Sequence, residues 1–112
     1  VTFKANTDDM RDSSSLSMIP SLIKKGAKVN YFDPTGAKSD FKKLKNVSFS
    51  NNISAAIKNS DLIIIHTEWN DFKSINFKKE VKNKNFIIFD MRNIYSSTKM
   101  LELKIKYFGV GR

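Results

Sequence analysis

Asp61-Leu62-Ile63-Ile64-Ile65-His66 is the stretch on which the fold turns. An acidic turn residue opens an unbroken apolar run, and a histidine closes it. The run is too short for a helix, and isoleucine's β-branching favours extended backbone. Continuous apolar strands of this kind are those that a parallel sheet buries on both faces. Phe86-Ile87-Ile88-Phe89, ended by Asp90, repeats the pattern further along. Between the two runs, Phe72, Ile75, Phe77 and Val81 predict a short helical stretch. Working outward, Lys28–Phe32 reads as a short strand closed by Asp33-Pro34, and Asn52 as the cap of a helix with Ile53, Ala56 and Ile57 inside. Leu16, Ile19, Leu22 and Ile23 recur at helical spacing, with Lys24-Lys25 in the last turn and Gly26 as the stop. Pro20 should bend that helix, because it cannot donate to the carbonyl of Leu16. Asn6–Ser13 is turn-like and offers Asp9, Asp12 or Ser13 as its N-cap. Val1–Lys4 reads as the end of a strand, and a last helix over Thr98–Leu103 leads to Ile105–Val110. Strands alternating with helices predict an α/β fold: one domain, three-layered and doubly wound (Rossmann-like), on a mostly parallel sheet.

The chain of 112 residues has no Cys and one His. That excludes disulfide scaffolds, Cys nucleophiles, iron–sulfur clusters and two-histidine zinc helices, and no metal site is expected. No apolar run approaches a membrane span, and Val1-Thr2-Phe3-Lys4-Ala5 does not read as a secretory signal. The expectation is a cytoplasmic domain with no membrane partner. A net charge of +9 raises nucleic acid as a partner. Lys supplies nearly all of the 20 cations, however, interleaved with Asn, Ser and Ile as AT-rich codons favour. A solvated face is the better reading, and no nucleic-acid partner is expected. Scarcity makes the arginines informative. A Lys-dominated chain that places Arg11 and Arg92 has use for the planar fork there.

In doubly wound sheets, ligands bind outside the carboxyl ends of the strands. Phe3-Lys4 follows the first strand, Asp33 the second, His66-Thr67-Glu68-Trp69 the third and Asp90-Met91-Arg92-Asn93 the fourth. Lys4 and Arg92 are thus expected to converge on one crevice, which suits a phosphorylated ligand. Glycine occurs only at positions 26, 36, 109 and 111, so neither G-x-G-x-x-G nor a P-loop is present. Autonomous dinucleotide binding is not expected.

Phe3-Lys4-Ala5-Asn6-Thr7-Asp8-Asp9-Met10-Arg11-Asp12-Ser13-Ser14-Ser15 resembles the F-K-x-x-T-D-D-x-R-x-S-x-S block of the nucleotide-sugar dehydrogenases, the UDP-glucose/GDP-mannose dehydrogenase family. The likeness continues through Gly26-Ala27-Lys28-Val29, Tyr31-Phe32-Asp33-Pro34, Thr67-Glu68-Trp69, Asp90-Met91-Arg92-Asn93-Ile94-Tyr95 and Gly109-Val110-Gly111-Arg112. The blocks keep the family's order across the whole chain. Thr67-Glu68-Trp69 and Arg92-Asn93-Ile94-Tyr95 are most similar to its UDP-glucose 6-dehydrogenase branch. Ser14 departs from the common S-P-S, without consequence for a helix start.

The resemblance implies that residues 1–112 are the C-terminal, UDP-sugar-binding domain of such an enzyme. The family oxidises UDP-glucose to UDP-glucuronate with two NAD, through a Cys-bound thioester. Its NAD fingerprint and catalytic Cys belong to N-terminal and central parts that this sequence does not contain. By the same resemblance Phe3, Lys4 and Arg92 contact the UDP-sugar, and Arg11 reaches NAD held by the other domain. No catalytic residue is expected in this chain, and the full-length parent is expected to be a homo-oligomer.

Plainer readings stand beside these. Lys4 read alone is one more surface lysine, Arg92 a staple to Asp90, and Arg11 a local ion pair with Asp8, Asp9 or Asp12. Phe3 can be core, presenting its backbone to the ligand. Asp8 and Asp9 read as caps and turn formers, His66 as a structural histidine, and Trp69 and Phe72 as packing residues. Rival functions are the same domain of a GDP-mannose or UDP-N-acetylmannosamine dehydrogenase, a phospho-receiver, or a basic nucleic-acid-binding domain. The receiver reading wants a phosphorylatable Asp where this chain has His66-Thr67-Glu68.

Overall fold

The periodic apolar residues after the N-terminal block form helix α1, Ser15–Lys24, which runs on through Pro20. It stops as expected. Gly26 takes a φ of 94°, its N–H donates to the Ile23 carbonyl, and the Ala27 N–H donates to the Leu22 carbonyl. That pairing is the Schellman arrangement, in which a left-handed residue lets two late carbonyls find donors. The computed structural model describes residues 15–42 and 44–110. The strand expected at Val1–Lys4, the caps Asp9, Asp12 and Ser13, and Phe3, Lys4 and Arg11 lie outside the described residues.

Two compact units divide the chain, residues 1–56 and 57–112. In the first, β1 (Val29–Tyr31) pairs in parallel with β2 (Val47–Phe49), in the register Val29↔Val47 to Tyr31↔Phe49. Ile19 of α1, Tyr31 and Phe41 form the buried centre, the last from a 3-10 turn at Ser39–Phe41. Tyr31 meets Phe41 and Phe49 edge-on, with centroids 5.4 and 5.3 Å apart. Strand β2 was not expected. Val47-Ser48-Phe49 is only three residues long and half-buried, so its pattern is too brief to read without its partner. Helix α2, Ile53–Ile57, starts where Asn52 was expected to cap it: the Ala55 N–H donates to Asn52 Oδ1 at 2.7 Å.

The second unit holds a three-stranded parallel sheet in the order β3-β4-β5, from Leu62–Ile65, Ile87–Asp90 and Lys106–Gly109. Strands β3 and β4 are those expected from the apolar runs, with β4 shifted one residue to take in Asp90, and β5 lies within Ile105–Val110, the segment to which the last helix leads. Side chains alternate across a sheet. One face carries Ile63, Ile65, Ile88 and Asp90, all buried. From that face Tyr107 meets Tyr95, Tyr95 meets Phe77, and Phe77 meets Phe86. The opposite face is the more open one, with Leu62 49%, Phe89 40% and Phe108 54% exposed, so the apolar runs are not buried equally on both sides.

The single helical stretch expected over Phe72–Val81 divides into a 3-10 turn, Asn70–Ser74, and helix α3, Phe77–Glu80. Ile75 is extended between them, and Asn76 restarts the helix by accepting from the Lys79 N–H. Helix α4, Ser97–Glu102, begins on the Ser96 side chain. Every recorded strand pair is parallel, and helices lie between successive strands, as in a Rossmann-like α/β fold.

Candidate functional site

The carboxyl ends of β3, β4 and β5 come together at one edge of the second unit. Asp90 ends β4 fully buried, and three donors converge on its carboxylate. Oδ1 accepts from the Arg92 N–H at 3.0 Å; Oδ2 accepts from the Tyr95 N–H at 3.1 Å and from the Tyr107 hydroxyl at 2.6 Å. A carboxylate can accept several bonds at once, which lets one buried side chain shape the whole turn after the strand. Asp90 thereby organises the backbone on which Arg92 stands. The Met91 N–H donates to the Ile65 carbonyl at 3.0 Å and carries the β3–β4 ladder one step further.

Arg92 is exposed, and its Nε donates to the carbonyl of His66 at 2.9 Å. The Arg92 side chain, two residues beyond β4, is therefore tied to the residue that follows β3. His66 itself is 5% exposed. Burial, helped by the nearby Arg92 charge, lowers its pKa to about 4. It is a neutral imidazole at physiological pH, with Nδ1 3.4 Å from the Thr67 hydroxyl, which fits a structural histidine better than a proton carrier. Thr67, Trp69 and Phe72 are buried as well, while Glu68 is exposed. Burial, with the Asp90 charge and Tyr107 nearby, raises the Tyr95 pKa. Its phenol stays protonated and donates to the Phe72 carbonyl.

The sequence reading did not find Asn93. Its φ is 52°, and its amide bonds both polar groups of the Val110 backbone, joining the β4 and β5 ends. Its only sequence signal was its place directly after Arg92. In the first unit, Asp33 follows β1 as expected and is 1% exposed. Burial pushes its carboxyl upward, yet hydrogen bonds from the Thr35 hydroxyl (2.6 Å) and N–H (2.9 Å) hold it below the ordinary carboxylate value. Lys38, also buried, donates to the Thr35 hydroxyl and stands 3.8 Å from Asp33 Oδ1.

An open groove of about 420 Å³ runs between the 3-10 turn and α4, lined by Lys73, Phe77, Lys78, Tyr95, Lys99 and Met100 among others. Arg92 and His66 take no part in it, so the groove and the strand edge are separate places. Among the described residues no group of His, Cys, Asp or Glu is arranged to hold a metal ion, and no helix is long and apolar enough to cross a membrane.

A parallel α/β domain of this kind is of the class that binds ligands outside the carboxyl ends of its strands. The chain belongs to the UDP-glucose/GDP-mannose dehydrogenase family: residues 1–97 match the model of that family's UDP binding domain. It is similar to the UDP-glucose 6-dehydrogenase of Rickettsia prowazekii (strain Madrid E), with 37% identity over 115 residues, covering 99% of this chain and 26% of that protein. The UDP-glucose 6-dehydrogenase of Rhizobium meliloti (strain 1021) is 33% identical over 113 residues, covering all of this chain and 26% of that protein. That of Rickettsia felis is 35% identical over 114 residues, covering 99% of this chain and 25% of that protein. The chain thus spans about a quarter of the length of these curated relatives. Family membership bears out the resemblance read from the motif blocks and leaves the receiver and nucleic-acid readings unfavoured.

Proposed function

We propose that residues 1–112 form the UDP-sugar-binding domain of a UDP-glucose 6-dehydrogenase. Its full-length parent oxidises UDP-glucose to UDP-glucuronate with two NAD, in the cytoplasm and as a homo-oligomer. The observation that carries the proposal is Arg92. In a chain that solvates itself with Lys, an Arg stands at the carboxyl end of β4, braced on the His66 carbonyl, in a domain whose family binds UDP. A planar fork in that position suits the paired oxygens of a diphosphate.

Phe3 and Lys4 complete the nucleotide-sugar contacts in this reading, and Arg11 turns toward NAD. The chain's own residues do not fit a dinucleotide site, because its glycines form no G-x-G-x-x-G turn after any strand. NAD, which accepts the hydride, is therefore held by the rest of the parent. The work of this domain is to bind and orient the nucleotide sugar, and no catalytic residue is assigned to it.

The test is NADH formation from UDP-glucose. The full-length parent should form NADH, its Arg92→Ala variant should need more UDP-glucose to do so, and the 112-residue chain alone should form none. A parent that oxidises GDP-mannose in preference to UDP-glucose would move the assignment to the neighbouring branch.

A further inference from the structure

Asn93 has a φ of 52°, in the left-handed region that Gly enters freely and Asn more readily than other side chains. Its Oδ1 accepts from the Val110 N–H at 2.8 Å, and its Nδ2 donates to the Val110 carbonyl at 2.8 Å. The last register pair of the two strands is Asp90↔Gly109, so this double bond extends the β4–β5 connection past the end of the ladder. A carboxamide offers a donor and an acceptor side by side and here takes the place of a strand peptide. Gly would suit the backbone but lose both bonds. Asp would keep the acceptor and set a carboxylate oxygen against the Val110 carbonyl. The position thus makes two demands, and Asn meets both.

Arg92 is the immediate neighbour. Its N–H is held by Asp90 and its Nε by the His66 carbonyl, which anchor it to β4 and β3. The Asn93–Val110 pair supplies the third anchor, from β5. We infer that Asn93 is a positioning residue for Arg92, holding the strand-edge loop in the conformation from which the guanidinium meets the nucleotide sugar. This rests on the proposed role of Arg92. Asn93 acts through that side chain and not through a ligand contact of its own.

Steady-state kinetics of the full-length parent, with melting temperatures for each variant, tests the inference. Asn93→Gly should raise the KM for UDP-glucose roughly tenfold and Asn93→Asp roughly threefold, while the KM for NAD stays within about twofold. In an Arg92→Ala background, Asn93→Gly should add nothing further, since both changes remove one function. Should Asn93→Gly fail to fold, Asn93→Asp, which keeps side-chain size and one bond, gives the reading. An unchanged UDP-glucose KM in the Asn93 variants overturns the inference, as does an equal rise for both substrates or an additive double variant. If Arg92→Ala itself leaves the UDP-glucose KM unchanged, the nucleotide-sugar reading of the edge fails and the inference falls with it. If Arg92→Ala raises it and the Asn93 variants do not, only the inference falls.

Discussion

Arg92 is held by a nitrogen that Lys does not possess. Its Nε–H bonds the His66 carbonyl at the strand edge. Arg92→Lys should therefore behave nearly as badly as Arg92→Ala, each lowering UDP-glucose affinity by roughly tenfold or more. Titration calorimetry on the parent enzyme checks this, and near-normal affinity in Arg92→Lys would leave only a generic cation. Asp90→Asn should act on the fold of the strand edge rather than on the guanidinium directly. Its buried oxygens serve two backbone N–H groups and a phenol. An amide NH₂ facing those donors should cost about 1–3 kcal/mol of stability, visible in the melting temperature. His66 brings a pH dependence. Its folded pKa of about 4 lies below the ordinary 6.5, so between these values the unfolded chain takes up a proton that the folded chain refuses. The stability that neutral His66 contributes is complete above pH 6.5 and is lost as pH falls toward 4. His66→Gln should flatten that part of the curve. Melting temperatures of both proteins from neutral pH to pH 4 read it, and parallel curves would remove His66 from the account.

Helices α1 and α4 end in the same way on different residues. After α1, Gly26 takes the left-handed position; after α4 it is Lys104, with φ 58°, its N–H on the Leu101 carbonyl and the Ile105 N–H on that of Met100. A side chain at such a φ costs about 1 kcal/mol or more, partly offset by the greater freedom of Gly in the unfolded chain. Gly26→Lys should lower stability by about 1 kcal/mol, whereas Lys104→Gly should leave it unchanged or raise it by up to about 1 kcal/mol. Chemical denaturation of the two variants decides the matter, and a loss in Lys104→Gly as large as that in Gly26→Lys would contradict it. The stop of α1 was legible because a glycine marks it. That of α4 was expected at Leu103, within a residue of its end, but its left-handed cap was not legible, because nothing local distinguishes Lys104 from the other lysines. Strand β2 escaped for a related reason. Three residues become a strand by pairing with Val29–Tyr31, and that pairing is not written in Val47-Ser48-Phe49. The helical stretch around Phe77 misled through its spacing, since Asn76 caps a new helix instead of continuing an old one.

Across the whole protein, the proposed reading divides the ligands between residues of one family block. Lys4 and Arg11 share one segment of sequence, yet the proposed reading turns Lys4 to the UDP-sugar and Arg11 to NAD. In the full-length parent, Lys4→Ala should mainly raise the KM for UDP-glucose, and Arg11→Ala mainly that for NAD. Equal losses of both substrates in both variants would end this division. The class of fold, the β3 and β4 runs, the α1 stop and the family were readable in the chain because each rests on residues adjacent or regularly spaced in sequence. The strand edge was readable as a place, since strand ends follow from strands, and so was the position of Arg92 on it. Its construction was not. Arg92 meets His66 across 26 positions, Asn93 meets Val110 across 17, and Tyr107 reaches Asp90 across 17. Such contacts exist only after parallel pairing has set β3, β4 and β5 side by side in register. Local propensity and hydrophobic pattern act over a few residues and decide which segments become strands. Hydrogen-bond geometry between strand ends acts over a few ångströms and decides which side chain holds which.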